Sequence, residues 1–223
     1  KVFADELTRI LQEKHVHFKT FYKPVKIDPV KKEITFQFVK PDTVLGESAL
    51  DKAIGEKLGE QNMVTMPYDM LHLAPPQSAP DFIKQSPFAY KEGPNKGWLN
   101  VDIHTLQSNV YPNVFGLGDS AALPTAKTGA AIRKQVPVVV ENVNRILKQM
   151  PMAGKGYEGY SSCPIVTGYG KMLLCEFKYD NVRDSDPLLS KFVDTSKEKW
   201  SMWILKKFGL PWLYWNMMMK GRM

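Results

Sequence analysis

Two stretches of this chain carry residues whose types and spacing suit chemistry. The first is 113–135, N-V-F-G-L-G-D-S-A-A-L-P-T-A-K-T-G-A-A-I-R-K-Q. It reads as a buried strand (Val114, Phe115), a glycine turn, an acid, a short loop and a helix. Gly116 and Gly118 let the backbone bend and let a ligand approach it closely. Asp119 falls where the strand ends, so its carboxylate points into the crevice beyond a sheet, where ligands of open α/β sheets bind. Pro124 closes the loop, and Thr125 or Thr128 can cap the helix. That helix offers free N–H groups and a positive dipole end to anything electron-rich. Residues 116–121 also fit the loose dinucleotide pattern G-x-G-x-x-A, with Glu141 about 20 residues on. Pro124 argues against that reading, because it falls in the first turns of the helix the pattern requires. Glu141 also follows a helical run rather than ending a second strand.

The second stretch is 160–177, which holds the chain's two cysteines, Cys163 and Cys175. It reads as strand, glycine turn, strand. The second strand puts Leu173, Cys175, Phe177 and Tyr179 on one face and Met172, Leu174, Glu176 and Lys178 on the other. Cys175 therefore reads as an inert core thiol. Cys163 stands beside Pro164 after a polar Ser-Ser step, and a buried structural thiol is the plain reading there too. If the hairpin turns symmetrically about Tyr169, Cys163 sits opposite Cys175 and a cross-strand disulfide becomes an alternative. Two cysteines make no metal site, and the four histidines (His15, His17, His72, His104) show no ligand spacing, so no metal is assigned.

The elements that must position these residues follow in order. Residues 1–14 have helical spacing (Val2, Phe3, Leu7, Ile10, Leu11). Residues 15–22, 25–28 and 34–39 read as strands, with His15 and His17 as ordinary strand-edge residues. The polar, glycine-spaced run 41–62 reads as a surface excursion with a short helix at 48–58. A strand at 68–74 ends at Pro75-Pro76, residues 77–97 are loop, and 98–102 is a short strand. Residues 136–147 place Val139, Val140, Val143, Ile146 and Leu147 on one side, a core helix. Residues 150–159 are a linker.

The chain has 223 residues, 43% of them hydrophobic, and a net charge of +7. That is an ordinary globular composition with an anionic partner. Between Lys197 and Met223 stand six basic residues and one acid, so this segment supplies most of the charge. It is also the richest in Trp and Met. Trp200, Trp203, Ile204 and Phe208 recur at helical intervals, Gly209 and Pro211 break the helix, and a second apolar piece follows from Trp212 to Met219. Neither piece approaches the roughly 20 residues that span a bilayer. Amphipathic helices with Trp and Lys fit a membrane interface; packing on the core or on a partner subunit is the alternative. No nucleic-acid motif is present, so nucleic acid is not an expected partner. The chain opens at Lys1 with no secretory signal pattern, which reads as a fragment or a processed product.

The stretch 113–135 resembles the C-terminal flavin motif of the two-dinucleotide-domain flavoproteins. Together with Ser162-Cys163-Pro164-Ile165-Val166-Thr167-Gly168-Tyr169 and the tail run from Trp212 to Met218, it is similar to the sulfide:quinone oxidoreductase family, most of all its membrane-bound branch. The resemblance implies an α/β fold: the C-terminal portion of a tandem Rossmann-like FAD/NAD(P)-binding fold, followed by a β-hairpin and an amphipathic-helix membrane-anchoring region. It implies three segments: 1–62, the remainder of the second Rossmann-like domain with its meander; 63–150, the C-terminal part of the FAD-binding domain; and 151–223, the redox hairpin and anchor. FAD is the implied cofactor. Asp119 would hold its ribityl chain, with Pro75, Gly118, Lys127, Thr128 and Gly129 around it and Lys199 reaching its edge. Cys163 becomes the catalytic cysteine, bridged to a partner cysteine in a missing N-terminal half. Sulfide attacks that bridge, and electrons pass through the flavin to a membrane quinone beside Phe177, Tyr214 and Trp215. Cys175 is at no catalytic position of the family. The implied setting is peripheral or monotopic, on a bacterial cytoplasmic or a mitochondrial inner membrane, with a second copy of the chain as a further candidate partner. Related alternatives are a flavocytochrome c sulfide dehydrogenase, a type II NADH:quinone reductase, or a non-catalytic membrane-binding or dimerisation fragment. A piece without the partner cysteine and the N-terminal glycine loop is expected to turn nothing over alone.

Overall fold

Helical periodicity at the start of the chain and strand periodicity near residues 22–38 and 161–177 all give elements, while glycines, prolines and left-handed residues set their ends. The computed structural model describes residues 2–222, with the backbone alone at Leu188 and Leu189. Lys1, where the chain's opening was read, lies outside them. The chain is mixed α/β with small sheets. It divides into two units, one of Lys1–Ile10 with Gln77–Met223 and one of Leu11–Pro76, a division by contact that runs across the three sequence segments.

Helix α1 (Val2–Glu13) buries Phe3, Glu6 and Ile10 on one stripe. In the smaller unit, β1 (Tyr22–Asp28), β2 (Glu33–Phe38), β3 (Lys57–Leu58) and β4 (Met63–Pro67) form an antiparallel sheet of order β1-β2-β4-β3. Val64 and Ile34 are its buried anchors. The separate strands expected at 15–22 and 25–28 are instead one strand. His15 (φ 54°) and Phe21 (φ 66°) take left-handed backbones that end any extended run before Tyr22. Pro24 is tolerated because β1 is an edge strand, with a register shift between Pro24 and Lys26. The helix expected at 48–58 is two single turns, Glu47–Ala49 and Lys52–Ile54, the second stopped by Gly55 at φ 74°. The strand expected at 68–74 ends earlier, at Pro67. Its partner β2 begins at Glu33, opposite Pro67; the Tyr68 N–H still donates to Lys32 O (2.8 Å), but Lys32 is left-handed (φ 52°), so the ladder goes no further. His17 stands outside the strands, its Nδ1 2.5 Å from Asp51 Oδ2.

In the larger unit, α2 (Asp81–Gln85) leads into a region held by single bridges. The stretch 98–102 is central to it. Leu99 bridges Ala89 on one side and Ala121 on the other, and Val101 bridges Ser108. Leu99, Val101, Leu106, Ala121, Leu123 and Tyr157 form the core here. Tyr179 closes it, its ring at 5.7 Å from the Tyr157 ring and its hydroxyl donating to Ile103 O at 2.6 Å.

Helix α3 (Gly129–Leu147) differs from the expected core helix. It buries Ala131, Gln135 and Asn142, while Val136, Val140, Val143 and Leu147 are exposed. Of the expected core residues Val139 does pack on the core, with Val138, and the polar residues that share the inward side satisfy loop backbone. Asn142 donates to Thr105 O (3.0 Å) and accepts from the Ala153 N–H (2.9 Å), and such buried amide groups cost free energy when left unpaired.

Strands β5 (Ser161–Gly168) and β6 (Lys171–Phe177) form the expected hairpin, with Cys163 opposite Cys175. Helix α4 (Pro187–Phe192) follows. The tail is α5 (Trp200–Ile204), a wide turn Leu205–Gly209 and α6 (Leu210–Asn216). Gly209 and Pro211 do not break it. Gly209 keeps a right-handed backbone (φ −67°), and the Leu210 N–H reaches back to Leu205 O across the widened turn. Pro211 then falls in the first turn of α6, where its missing N–H is not needed. Met202 fixes the tail by packing with Met172 and Leu174 of β6.

Gly159 joins this core to the hairpin at φ 85°, and a Cβ there would overlap the Tyr179 ring and stand 2.6 Å from the Tyr179 backbone N. Gly159→Ala is expected to lower stability by about 3 kcal/mol. Urea unfolding measures it, and a change below about 0.5 kcal/mol would show that the Tyr179 contact is not rigid.

Candidate functional site: a glycine-aspartate loop and a cysteine hairpin

The loop from Gly116 to Thr128 is shaped by close packing beneath it. Gly116 is buried against Leu99 and Val101, where no Cβ fits. Gly118 is buried at φ 64°, with the Ile132 side chain where a Cβ would press. Its N–H donates to Gln135 Oε1 at 2.8 Å. Asp119 follows with an exposed side chain. The expected strand before the loop is a single bridge from Phe115 to Gln107, and Val114 and Phe115 are half-buried.

Of the two candidate caps, Thr128 is the one that caps α3. Its Oγ1 accepts from the Ala131 N–H at 3.2 Å. Thr125 Oγ1 instead donates to Gly159 O at 2.7 Å, tying the loop to the start of the hairpin. Gly129 opens the helix, and the space where its Cβ would stand is empty. Lys127 Nζ donates to Ala121 O at 2.5 Å and lies 4.2 Å from the centre of the Trp98 ring. Burial pushes the Lys127 amine below its ordinary value, and the nearby Asp119 carboxylate works in the opposite direction. The loop therefore presents a carboxylate, an ammonium and a capped helix N-terminus together. Such a set suits a ligand with hydroxyl donors at one end and electron-rich acceptors at the other.

Cys163 is half-buried and Cys175 buried, and both are free thiols. They share one apolar cluster with Leu173, Ile165 and Phe177 of the hairpin and Phe3, Leu7 and Ile10 of α1. Burial, and then the neighbouring Cys163, push the Cys175 thiol up to about 12. Cys163 is thus the more accessible of the two thiols, and burial disfavours the thiolate of Cys175.

The remaining candidates fall in three places. Lys199 is exposed, and its N–H donates to Met172 O at 2.9 Å along the outer edge of β6. Phe177 pairs edge-on with Phe3 at 5.2 Å, and Tyr214 with Trp215 at 5.0 Å. Pro75 is exposed and belongs to the smaller unit. Gln135, Trp98 and the buried pair of Tyr160 with Glu176 (hydroxyl to Oε1, 2.7 Å) were not legible as site residues. For Gln135 a signal existed, since it shares a helical face with Ala131 and Asn142; Trp98 reaches Lys127 only through the fold.

No protein-family model matches the chain. It is 39% identical over 222 residues to the mitochondrial sulfide:quinone oxidoreductase of Mus musculus, covering 99% of this chain and 43% of that protein. The mitochondrial sulfide:quinone oxidoreductase of Dictyostelium discoideum is 45% identical over 73% of this chain and 34% of its own length. That of Schizosaccharomyces pombe is 34% identical over 97% and 42%. The chain thus spans less than half the length of these curated relatives. Among solved structures, a chain of the Tetrahymena thermophila mitochondrial ATP synthase tetramer superposes with a TM-score of 0.66 at 23% identity, over 93% of this chain and 44% of that one. At that identity the likeness is one of fold alone. Matches to three sulfide:quinone oxidoreductases, two of them along nearly the whole chain, place it in that family, to whose C-terminal part it corresponds.

Proposed function

We propose that this chain is part of a flavoprotein that oxidises sulfide through a cysteine bridge and passes the electrons to a membrane quinone. The observation that carries the reading is the pairing of two features: relatives named for that activity over nearly the whole chain, and a half-buried Cys163 in a hairpin whose start, Gly159, is tied to the Asp119 loop by Thr125. The loop residues fit FAD. Asp119 is free to accept from ribityl hydroxyls, and the N-terminus of α3, opened by Gly129, faces outward for a ring carbonyl edge. Gly118 and Thr128 hold that geometry, and Lys127 Nζ, donating to Ala121 O, lies within electrostatic reach of Asp119. FAD, when bound, supplies two-electron acceptance. Pro75 and Lys199 are proposed as further neighbours of the cofactor.

Cys163 supplies the thiolate that sulfide chemistry needs. Its bridging partner is assigned to the part of the protein beyond this chain. The exposed stripe Val136, Val140, Val143 and Leu147 on α3 supports such a part, because an apolar helix face of this kind is ordinarily covered. The finer fold, the closing portion of a tandem Rossmann-like arrangement, belongs to the same proposal.

The tail is proposed to seat on a membrane surface, and the relatives' names point to a mitochondrial one. Among the described residues no helix is long and apolar enough to cross a membrane. Trp200, Phe208, Trp212, Trp215 and Met219 are all more than half exposed, with Lys206, Lys207 and Lys220 among them. That combination suits an interface. Tyr214, Trp215 and Phe177 are the proposed quinone neighbours, the first two with exposed rings.

Two experiments test the reading. Cys163→Ala in the full-length protein is expected to lower sulfide-dependent quinone reduction at least about a thousandfold while the visible flavin band stays. An active variant would remove Cys163 from the chemistry, and loss of the band would make it a structural residue. Trp212→Ser with Trp215→Ser is expected to weaken binding to anionic liposomes at least about tenfold in a flotation assay. Unchanged binding would assign the tail to protein packing.

A further inference from the structure

Strands β5 and β6 set the chain's two thiols directly opposite each other. The backbone bonding decides what kind of pair they make. On β6 the Leu174 N–H donates to Thr195 O (3.0 Å), Met172 O accepts from the Lys199 N–H (2.9 Å) and Glu176 O accepts from the Asp184 N–H (3.1 Å). Residues 172, 174 and 176 therefore turn their backbone groups away from β5. Leu173, Cys175 and Phe177 turn theirs toward it. Pro164 agrees: it stands opposite Leu174, needs no N–H there, and its O accepts from Lys206 Nζ at 2.7 Å on the outer side. Cys163 and Cys175 are thus a hydrogen-bonded pair, and in such ladders opposed Cα atoms stand about 5.5 Å apart. Bridged cysteines have Cα separations of about 4.4–6.8 Å. Both side chains lie on the same face, in the cluster with Phe3 and Ile10.

We propose that Cys163 and Cys175 are a cross-strand dithiol that a low-molecular-weight disulfide converts to an intramolecular disulfide, Cys163 entering and Cys175 resolving. The roles follow from burial: Cys163 is half-buried and Cys175 is 3% exposed. In the first step the Cys163 thiolate attacks one sulfur of the small disulfide, forming a mixed disulfide and releasing one small thiolate. In the second, Cys175 Sγ attacks Cys163 Sγ, the bond to the small thiol breaks, and the Cys175 proton leaves with it. The dithiol loses two electrons and two protons, and the small disulfide is reduced to two thiols. Closing the bridge would also withdraw Cys163 from sulfide. That consequence rests on the function proposed above; the dithiol does not.

The test reads peptide masses, so it is independent of sulfide turnover. The intact protein is reduced to open any bridge at Cys163, freed of reductant, treated with oxidised glutathione, quenched in acid, alkylated in urea and digested with trypsin. Cleavage after Lys155, Lys171 and Lys178 leaves the two cysteines on separate peptides, 156–171 and 172–178. The expected product is those two peptides joined by a disulfide. In Cys175→Ala the mixed disulfide at Cys163 should persist, decaying at least about tenfold more slowly than in the wild type, which has a positioned intramolecular thiol. Wild-type protein in which Cys175 is alkylated while Cys163 stays glutathionylated, unmodified or linked elsewhere overturns the proposal. The wild-type map decides the matter even if the alanine variant fails to fold.

Discussion

The larger unit depends on β6 being buried on both faces. A lone two-stranded hairpin is at best marginal in water. Here Leu173 and Cys175 pack beneath α1 with Phe3 and Ile10, while Met172 and Leu174 pack against Met202 of the tail. Burying each such side chain is worth about 1.5–3 kcal/mol. The stretch 195–199 adds backbone bonds along the free edge of β6, at Leu174 and Met172. The same arrangement brings three functional elements to one hairpin. Cys163 is on its inner face, the tail on its outer face, and Gly159, tied to the Asp119 loop by Thr125, is at its start.

The loop shows how a binding surface is kept rigid without a long strand. Single bridges at Leu99 and Phe115, a glycine packed against Leu99, and a buried carboxamide from Gln135 replace a continuous ladder. The Gly116 N–H donates to Leu106 O, the Gly118 N–H to Gln135 and the Ala122 N–H to Leu99 O, as burial requires. Asp119 and the opening of α3 are left facing outward on that base. Lys127 is held by Trp98 and Ala121 at some cost to its charged form, which is why its amine lies below its ordinary value.

Helix α3 has two uses for its two faces. Gln135 and Asn142 turn inward to complete the hydrogen bonding of irregular chain beside Val138 and Val139, while Val136, Val140 and Val143 turn outward. A helix whose apolar stripe is exposed and whose polar residues are buried inverts the usual pattern. The tail repeats the theme more mildly, with Met202 buried and Trp200, Trp212 and Trp215 exposed.

Much was legible in the chain by itself. Period and composition identified α1, β2 and the β5–β6 hairpin, and a turn about Tyr169 was the alternative that set Cys163 opposite Cys175, a pairing the structure holds with a register shift between Val166 and Gly168. The Gly-Asp loop, the thiols and the aromatic tail were visible because local chemistry marks them. The tertiary structure alone decided the rest. The strand starts at Tyr22 because His15 and Phe21 are left-handed, and β4 stops at Pro67 because its partner chain turns at the left-handed Lys32. The tail runs through Pro211 because a widened turn absorbs it. Val136, Val140 and Val143 of α3 face out because Gln135 and Asn142 take part of the inner face to satisfy loop backbone. In each case the choice was made by a partner distant in sequence, and neither periodicity nor propensity reports where such a partner lies.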